Sequence, residues 1–174
     1  MNTPQGAVMY NPTEPRDPRG RWTGGGGGGR DPASILYPNL APQREDVAYN
    51  GVYHDQVVEW LMDVFQSFGI PAVKNVPIAT IDGRSTAIVD IISFPKNGPP
   101  NFIEVKTGNT PSFTNNQMAV HPMASVGGHV ISATDKLAPF GIPRGAPLPA
   151  ANVWSAYAVP GEELNVRPEY KAMR

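Results

Sequence analysis

The chain has 174 residues, of which 40% are hydrophobic and 17% charged, enough for one domain with a packed core and some chain to spare. Its 20 Pro and 18 Gly point to a portion that is extended or rich in loops. A net charge of −1 argues against a broad basic surface for nucleic acid, the lack of Cys excludes disulfides, thiolate zinc sites and cysteine nucleophiles, and no apolar run is long enough to span a membrane.

Residues 1–49 read as a flexible tail and linker, and residues 50–174 as the folded domain. The tail contains the uninterrupted run Gly24 to Gly29, whose ordering would cost too much chain entropy for a regular element. Ahead of it, Asn11 to Thr23 (NPTEPRDPRGRWT) is punctuated by proline and mixed in charge, so it is expected to be disordered. Ile35-Leu36-Tyr37 is a short apolar patch, read as loop, that could dock on the domain or a partner. No basic stretch followed by an apolar one opens the chain, so a secretory signal is not expected, and a cytoplasmic or virion-associated location is.

The folded part opens with Tyr53 to Phe68, whose apolar residues recur with the 3.6 period of a helix buried along one stripe. Gly69 and Pro71 stop it. Val73 to Ile81 reads as a strand turning at Asp82-Gly83, followed by a second strand over Thr86 to Phe94. Asn97-Gly98 makes a further turn into a third strand, Asn101 to Thr107. Thr114 caps a short helix over Asn115 to His121, which Pro122 ends or kinks. Gly128 to Ala133 and Asn152 to Val159 are further strands, separated by a proline-rich loop over Leu137 to Pro149. The order predicts an α+β (mixed α/β) domain with a central sheet flanked by helices.

The chemistry lies in the three-strand meander. Asp90 sits among Ala87, Ile88, Val89, Ile91 and Ile92, which predicts a strand buried on both faces. A carboxylate there is costly unless paired or bound to a cation. A hairpin centred on Asn97 puts Asp90 opposite Glu104, and Lys106, two residues on, shares the face of Glu104. Two facing carboxylates repel, and a divalent cation between them removes the conflict. Mg²⁺ held by two carboxylates keeps several waters, one of which it can acidify, and a nearby ammonium can orient that water and stabilise charge on a phosphate. That pattern suits phosphodiester hydrolysis; the plain alternative is a buried salt bridge of Lys106 with Asp90 or Glu104.

The run from Val89-Asp90 to Glu104-Val105-Lys106 resembles the PD-(D/E)XK nuclease superfamily. Tyr53-His54-Asp55, Ile103 to Gly108 (IEVKTG), Thr114-Asn115-Asn116-Gln117 and Gly127-Gly128 extend the likeness to small nuclease domains of bacterial polymorphic toxins and phage proteins, over about residues 50–160. The resemblance implies a restriction-endonuclease-like core with Asp90, Glu104 and the Val105 carbonyl as ligands to Mg²⁺, or Mn²⁺ in its place, and Lys106 assisting the attacking water. Val89 stands where many members have proline. Members often supply a helix Glu, but Glu59 falls opposite the apolar stripe, so His54, which falls on it, is the expected helix contribution. A hydrogen-bonded His at the core's edge is its alternative. Asp55 reads as a charge favouring the helix dipole. Gln117 resembles a glutamine reaching back to the site, against an exposed surface amide. His121 and His129 are single histidines and read as structural.

DNA is the expected partner, with Lys74, Arg84 and Lys136 as nearby cations and Asn115 and Asn116 at a helix N-terminus suited to phosphate. No recognition helix or basic stripe gives sequence specificity. Trp154 and Tyr157 read as core residues rather than base-stacking ones. Three functional readings stand together: a Mg²⁺-dependent nuclease, a phage virion or adaptor protein carrying a nuclease-like domain of little activity, and a toxin effector requiring an immunity protein. The tail, PRDPRGRWT followed by polyglycine, is similar to leader segments of phage virion proteins and could bind a particle component.

Overall fold

The computed structural model describes residues 50–108 and 112–173. The expected tail over 1–49, with its patch Ile35-Leu36-Tyr37, lies outside the described residues. Helix α1 (Asn50–Ser67) begins three residues before the sequence reading placed it. Tyr53, Val57, Val58, Leu61 and Phe65 form its buried stripe. It stops where Gly69 adopts a φ of 65°, which a side chain would resist. Asp55 lies beyond the first turn, so the expected helix-dipole role falls away: the first turn holds no acid.

Strands β1 (Ala72–Thr80) and β2 (Thr86–Ser93) form a hairpin. Its turn is tied by Asp82 Oδ1, which accepts from Thr80 Oγ1 at 2.6 Å and from the Arg84 N–H at 3.1 Å. After β3 (Asn101–Thr107) come α2 (Asn115–Val126), β4 (Val130–Ser132), a 3₁₀ turn over Asp135–Phe140, β5 (Asn152–Ala158) and β6 (Asn165–Tyr170). The six strands form one sheet in the order β4-β1-β2-β3-β5-β6. β3 and β5 run parallel, while the other neighbours are antiparallel. The domain is thus α+β, with a mixed sheet between helices.

Each helix closes one face. Under α1 lie Ile91, Ile103, Val105, Trp154, Ala156 and Leu164. Val120 and Ala124 of α2 meet Val76, Ile78, Val89, Ile92, Phe102 and Val153 on the other. Full burial of a side chain of this size contributes about 1.5–3 kcal/mol.

Three expectations change. Helix α2 continues past His121 to Val126 with Pro122 inside it. Proline removes only the bond to the Met118 carbonyl, and Met118 lies on the exposed side, where water can serve that carbonyl. The proline-rich loop opens within the 3₁₀ turn. β6 is absent from the sequence reading: its residues (NVRPEY) are mostly exposed and include Pro168, as suits an edge strand.

β2 also departs from a uniformly buried strand. Its first half alternates, leaving Ile88 exposed, and only its end is buried throughout. The alternation breaks at Asp90: Val89 packs in the α2 layer and Ile91, two residues on, in the α1 layer. The partner strand breaks at the same point. Asn75, which stands between the pairs Lys74–Ile91 and Val76–Val89, has a φ of 53°. Asp90 therefore occupies a local opening in the sheet.

Candidate active site

The β2–β3 hairpin has the register its turn predicts, pairing Ser93 with Asn101, Ile92 with Phe102 and Ile91 with Ile103. The ladder ends one step short of Asp90 and Glu104. There the Asp90 side chain replaces a backbone partner: Oδ2 accepts the Val105 N–H at 2.8 Å. In an extended strand the N–H and C=O of one residue point to the same edge, so the Val105 carbonyl faces the Asp90 side too. On that side His54 Nε2 lies 3.3 Å from Asp90 Oδ2, and His54 Nδ1 lies 3.2 Å from Asp55 Oδ1. The Asp90 hydrogen bond outweighs burial and raises the His54 pKa above 6.5.

Glu104 is fully buried. Gln117 Nε2 donates to its Oε2 at 2.6 Å, and His121 Nε2 lies 2.8 Å from its Oε1. Burial first, and the nearby Asp90 carboxylate second, push Glu104 well above the ordinary carboxylate range. Burial and the Lys106 ammonium lower the His121 pKa to about 4. The imidazole is therefore neutral at pH 7, and its contact with Glu104 is a hydrogen bond rather than an ion pair. His121 Nδ1 is buried without a hydrogen-bond partner. Protonation on Nε2 leaves a bare acceptor there, which costs less than an orphaned N–H.

Lys106 Nζ donates to Gln117 Oε1 at 3.2 Å and lies 4.7 Å from the centroid of Phe113, whose ring meets His121 edge-on. Gln117 is also the third residue of a capping box. Its N–H donates to Thr114 Oγ1, and its Oε1 accepts the Thr114 N–H at 3.0 Å. One side chain thus fixes the start of α2 and links Glu104 to Lys106.

The fold brings together Asp90, Glu104, Val105, Lys106, Gln117 and His54. His121, read as structural, joins them. The sequence carries its signal: it lies four residues after Gln117, within the expected helix over Asn115 to His121, and so shares its helix face. His129 is exposed and apart from the cluster. Glu59 faces solvent, as its place on the helix implies, and pairs with Lys74. Arg84 pairs with Asp82 at 3.5 Å, and Lys136 Nζ donates to the carbonyls of Lys74 and Asn75. Trp154 is a core residue whose Nε1 donates to Asn101 Oδ1. Tyr157 is a correction to the core reading: it is half-buried and carries the Arg167 guanidinium 4.9 Å from its ring centroid.

Two carboxylates and one carbonyl are a sparse donor set. Among the described residues, no three or more His, Asp or Glu side chains surround one point. Such a set could not close a cage of side chains around a cation, and both Glu104 oxygens already have partners from α2. Burial is the main force driving Glu104 toward protonation; the Asp90 carboxylate comes second, and only that smaller part is one a divalent cation would offset.

Comparison of the chain with protein families, curated proteins and solved structures returns no match. No helix among the described residues is long and apolar enough to cross a membrane.

Proposed function

We propose that the chain is a Mg²⁺-dependent nuclease, acting on DNA, with a restriction-endonuclease-like core. The observation that carries this reading is the Glu104–Gln117–Lys106 chain of hydrogen bonds beside Asp90. The order helix, three-strand meander, helix, then a strand parallel to the third supports the same architecture. Asp90, Glu104 and the Val105 carbonyl would hold Mg²⁺, with Mn²⁺ a substitute. The bound ion would lower the pKa of a water and offset charge on the scissile phosphate. Gln117 and His121 hold Glu104 in place, so its orientation needs no rearrangement when substrate arrives. The Lys106 ammonium, held by Gln117, orients the attacking water and faces the charge that develops on phosphate. His54 fixes Asp90 from the α1 side.

The test is plasmid and linear DNA incubated with Mg²⁺, Mn²⁺ or EDTA, beside Lys106→Ala. Metal-dependent cutting that falls at least about 100-fold in the variant is expected. Equal cutting by Lys106→Ala, Asp90→Ala and Glu104→Ala would overturn the assignment. A second reading is a nuclease-like domain used as a virion or binding module. The partners already present on both Glu104 oxygens favour it, and a folded protein that never cuts while binding a particle component through its tail would support it. A toxin effector shares the nuclease chemistry; toxicity in bacteria relieved by Lys106→Ala would single it out, and an immunity protein would then be its partner.

A further inference from the structure

A groove of about 290 Å³ opens beside Lys106. Its lining includes Gly108, Tyr157, Glu162, Glu163 and Arg167. Lys106 and Tyr157 are register partners on the parallel strands β3 and β5, so their side chains rise from the same face, one strand spacing apart. Asn165 pairs with Tyr157 on β6, and Arg167, two residues on, reaches the ring. Arg167 Nε donates to Asn165 Oδ1 at 3.1 Å, which steadies the guanidinium. The groove thus joins an aromatic ring to the ammonium assigned to phosphate.

We propose that this groove is a nucleobase subsite that takes one unpaired base next to the scissile phosphate, making single-stranded nucleic acid the preferred substrate. The inference rests on the nuclease reading and adds the strand state to it. Charge decides between a base and a second phosphate. Lys106 and Arg167 are balanced by Glu162 and Glu163, so the groove has no net attraction for another anion, while its carboxylates can accept from the amino groups of bases. Size points the same way. The volume is near the lower bound of about 300 Å³ for small-molecule sites, suited to one flat heterocycle. The Arg167 guanidinium lies over the half-buried Tyr157 ring, and a base would stack on that guanidinium plane, backed by the ring, a mode that binds bases without regard to sequence. A base inside a duplex cannot reach such a groove unless it leaves the stack.

The experiment is fluorescence anisotropy in EDTA, where the metal-dependent reaction is off. A labelled 12-nucleotide single strand of DNA is compared with its duplex, and cutting of both is then measured with Mg²⁺. The single strand should bind at least about tenfold more tightly. Tyr157→Ala should remove that preference and Tyr157→Phe keep it. Single strands with one abasic position moved along the sequence should lose affinity at one position, a readout that does not depend on a variant folding. Equal binding of both forms and no sensitive position, together with metal-dependent cutting, would overturn the subsite and leave the nuclease reading standing. Neither binding nor cutting by the folded protein would overturn both.

Discussion

Glu104 is the residue on which the site turns, because it has no water to solvate it and two partners from α2 to hold it. His121 makes that arrangement sensitive to acid. Its folded pKa, about 4, lies below the value near 6.5 expected when unfolded. Between those values the unfolded chain takes up a proton that the native state refuses, so stability falls as pH drops through this window. From pH 7 to pH 5 the loss from this residue is about 2 kcal/mol. His54 works in the other sense: its pKa is raised by Asp90, so its contribution is full below about 6.5 and fades as pH rises through the folded value. His121→Gln keeps a donor for Glu104 and removes the titration. In urea unfolding at both pH values, the variant should lose about 2 kcal/mol less than the parent protein on going from pH 7 to pH 5. Equal losses would show that His121 is not held neutral in the native state.

At the scale of elements, α2 delivers two of the site's side chains, so both of its ends matter. The start is fixed by Thr114 and Gln117. The end is fixed by Gly127, whose φ is 79°; a Cβ there would stand 2.6 Å from the Ala150 backbone nitrogen. Gly128, at a φ of 71°, has open space where its Cβ would be. Gly127→Ala combines backbone strain with a clash against main chain and should cost about 3 kcal/mol, against about 1 kcal/mol for Gly128→Ala. Urea midpoints of the two variants test this, and similar values would mean that the Gly127–Ala150 approach relaxes freely. What was legible in the sequence follows from the same physics. The β2–β3 register matches a turn centred on Asn97, the middle of the connection between Ser93 and Asn101, and Thr114 was readable because a cap acts locally. The end of α2 was not, because the cost of an internal proline depends on whether water reaches one carbonyl. β6 was not, because an exposed edge strand lacks an apolar alternation. His121 lies within the expected helix, but its contact with Glu104 was not legible, because nothing local says which sheet residue that helix face meets. The opening at Asp90 was hidden for a further reason: it depends on Asn75, which is distant in sequence and carries no pattern of its own.

At the scale of the whole molecule, the chain holds 14 Lys and Arg against 15 Asp and Glu, and the described cations nearest the sequence-based DNA surface are already engaged. Lys74 pairs with Glu59, Arg84 with Asp82, and Lys136 is turned onto backbone carbonyls. At the groove, Lys106 is the cation assigned to the scissile phosphate, and Arg167 is balanced by the neighbouring Glu162 and Glu163. Affinity for nucleic acid should then depend on stacking and on the reacting phosphate more than on counterion release. For a single strand, each neutralised phosphate contributes about −0.7 to the slope of log K against log salt, so the one phosphate assigned to Lys106 predicts a slope of about −0.7. Anisotropy titrations between 50 and 200 mM salt (roughly the range over which strongly basic binders lose most of their affinity) measure it directly. A slope near −4 would require about six phosphate contacts. That result would assign binding to cations beyond the groove, with the five arginines of residues 1–49 the first to replace.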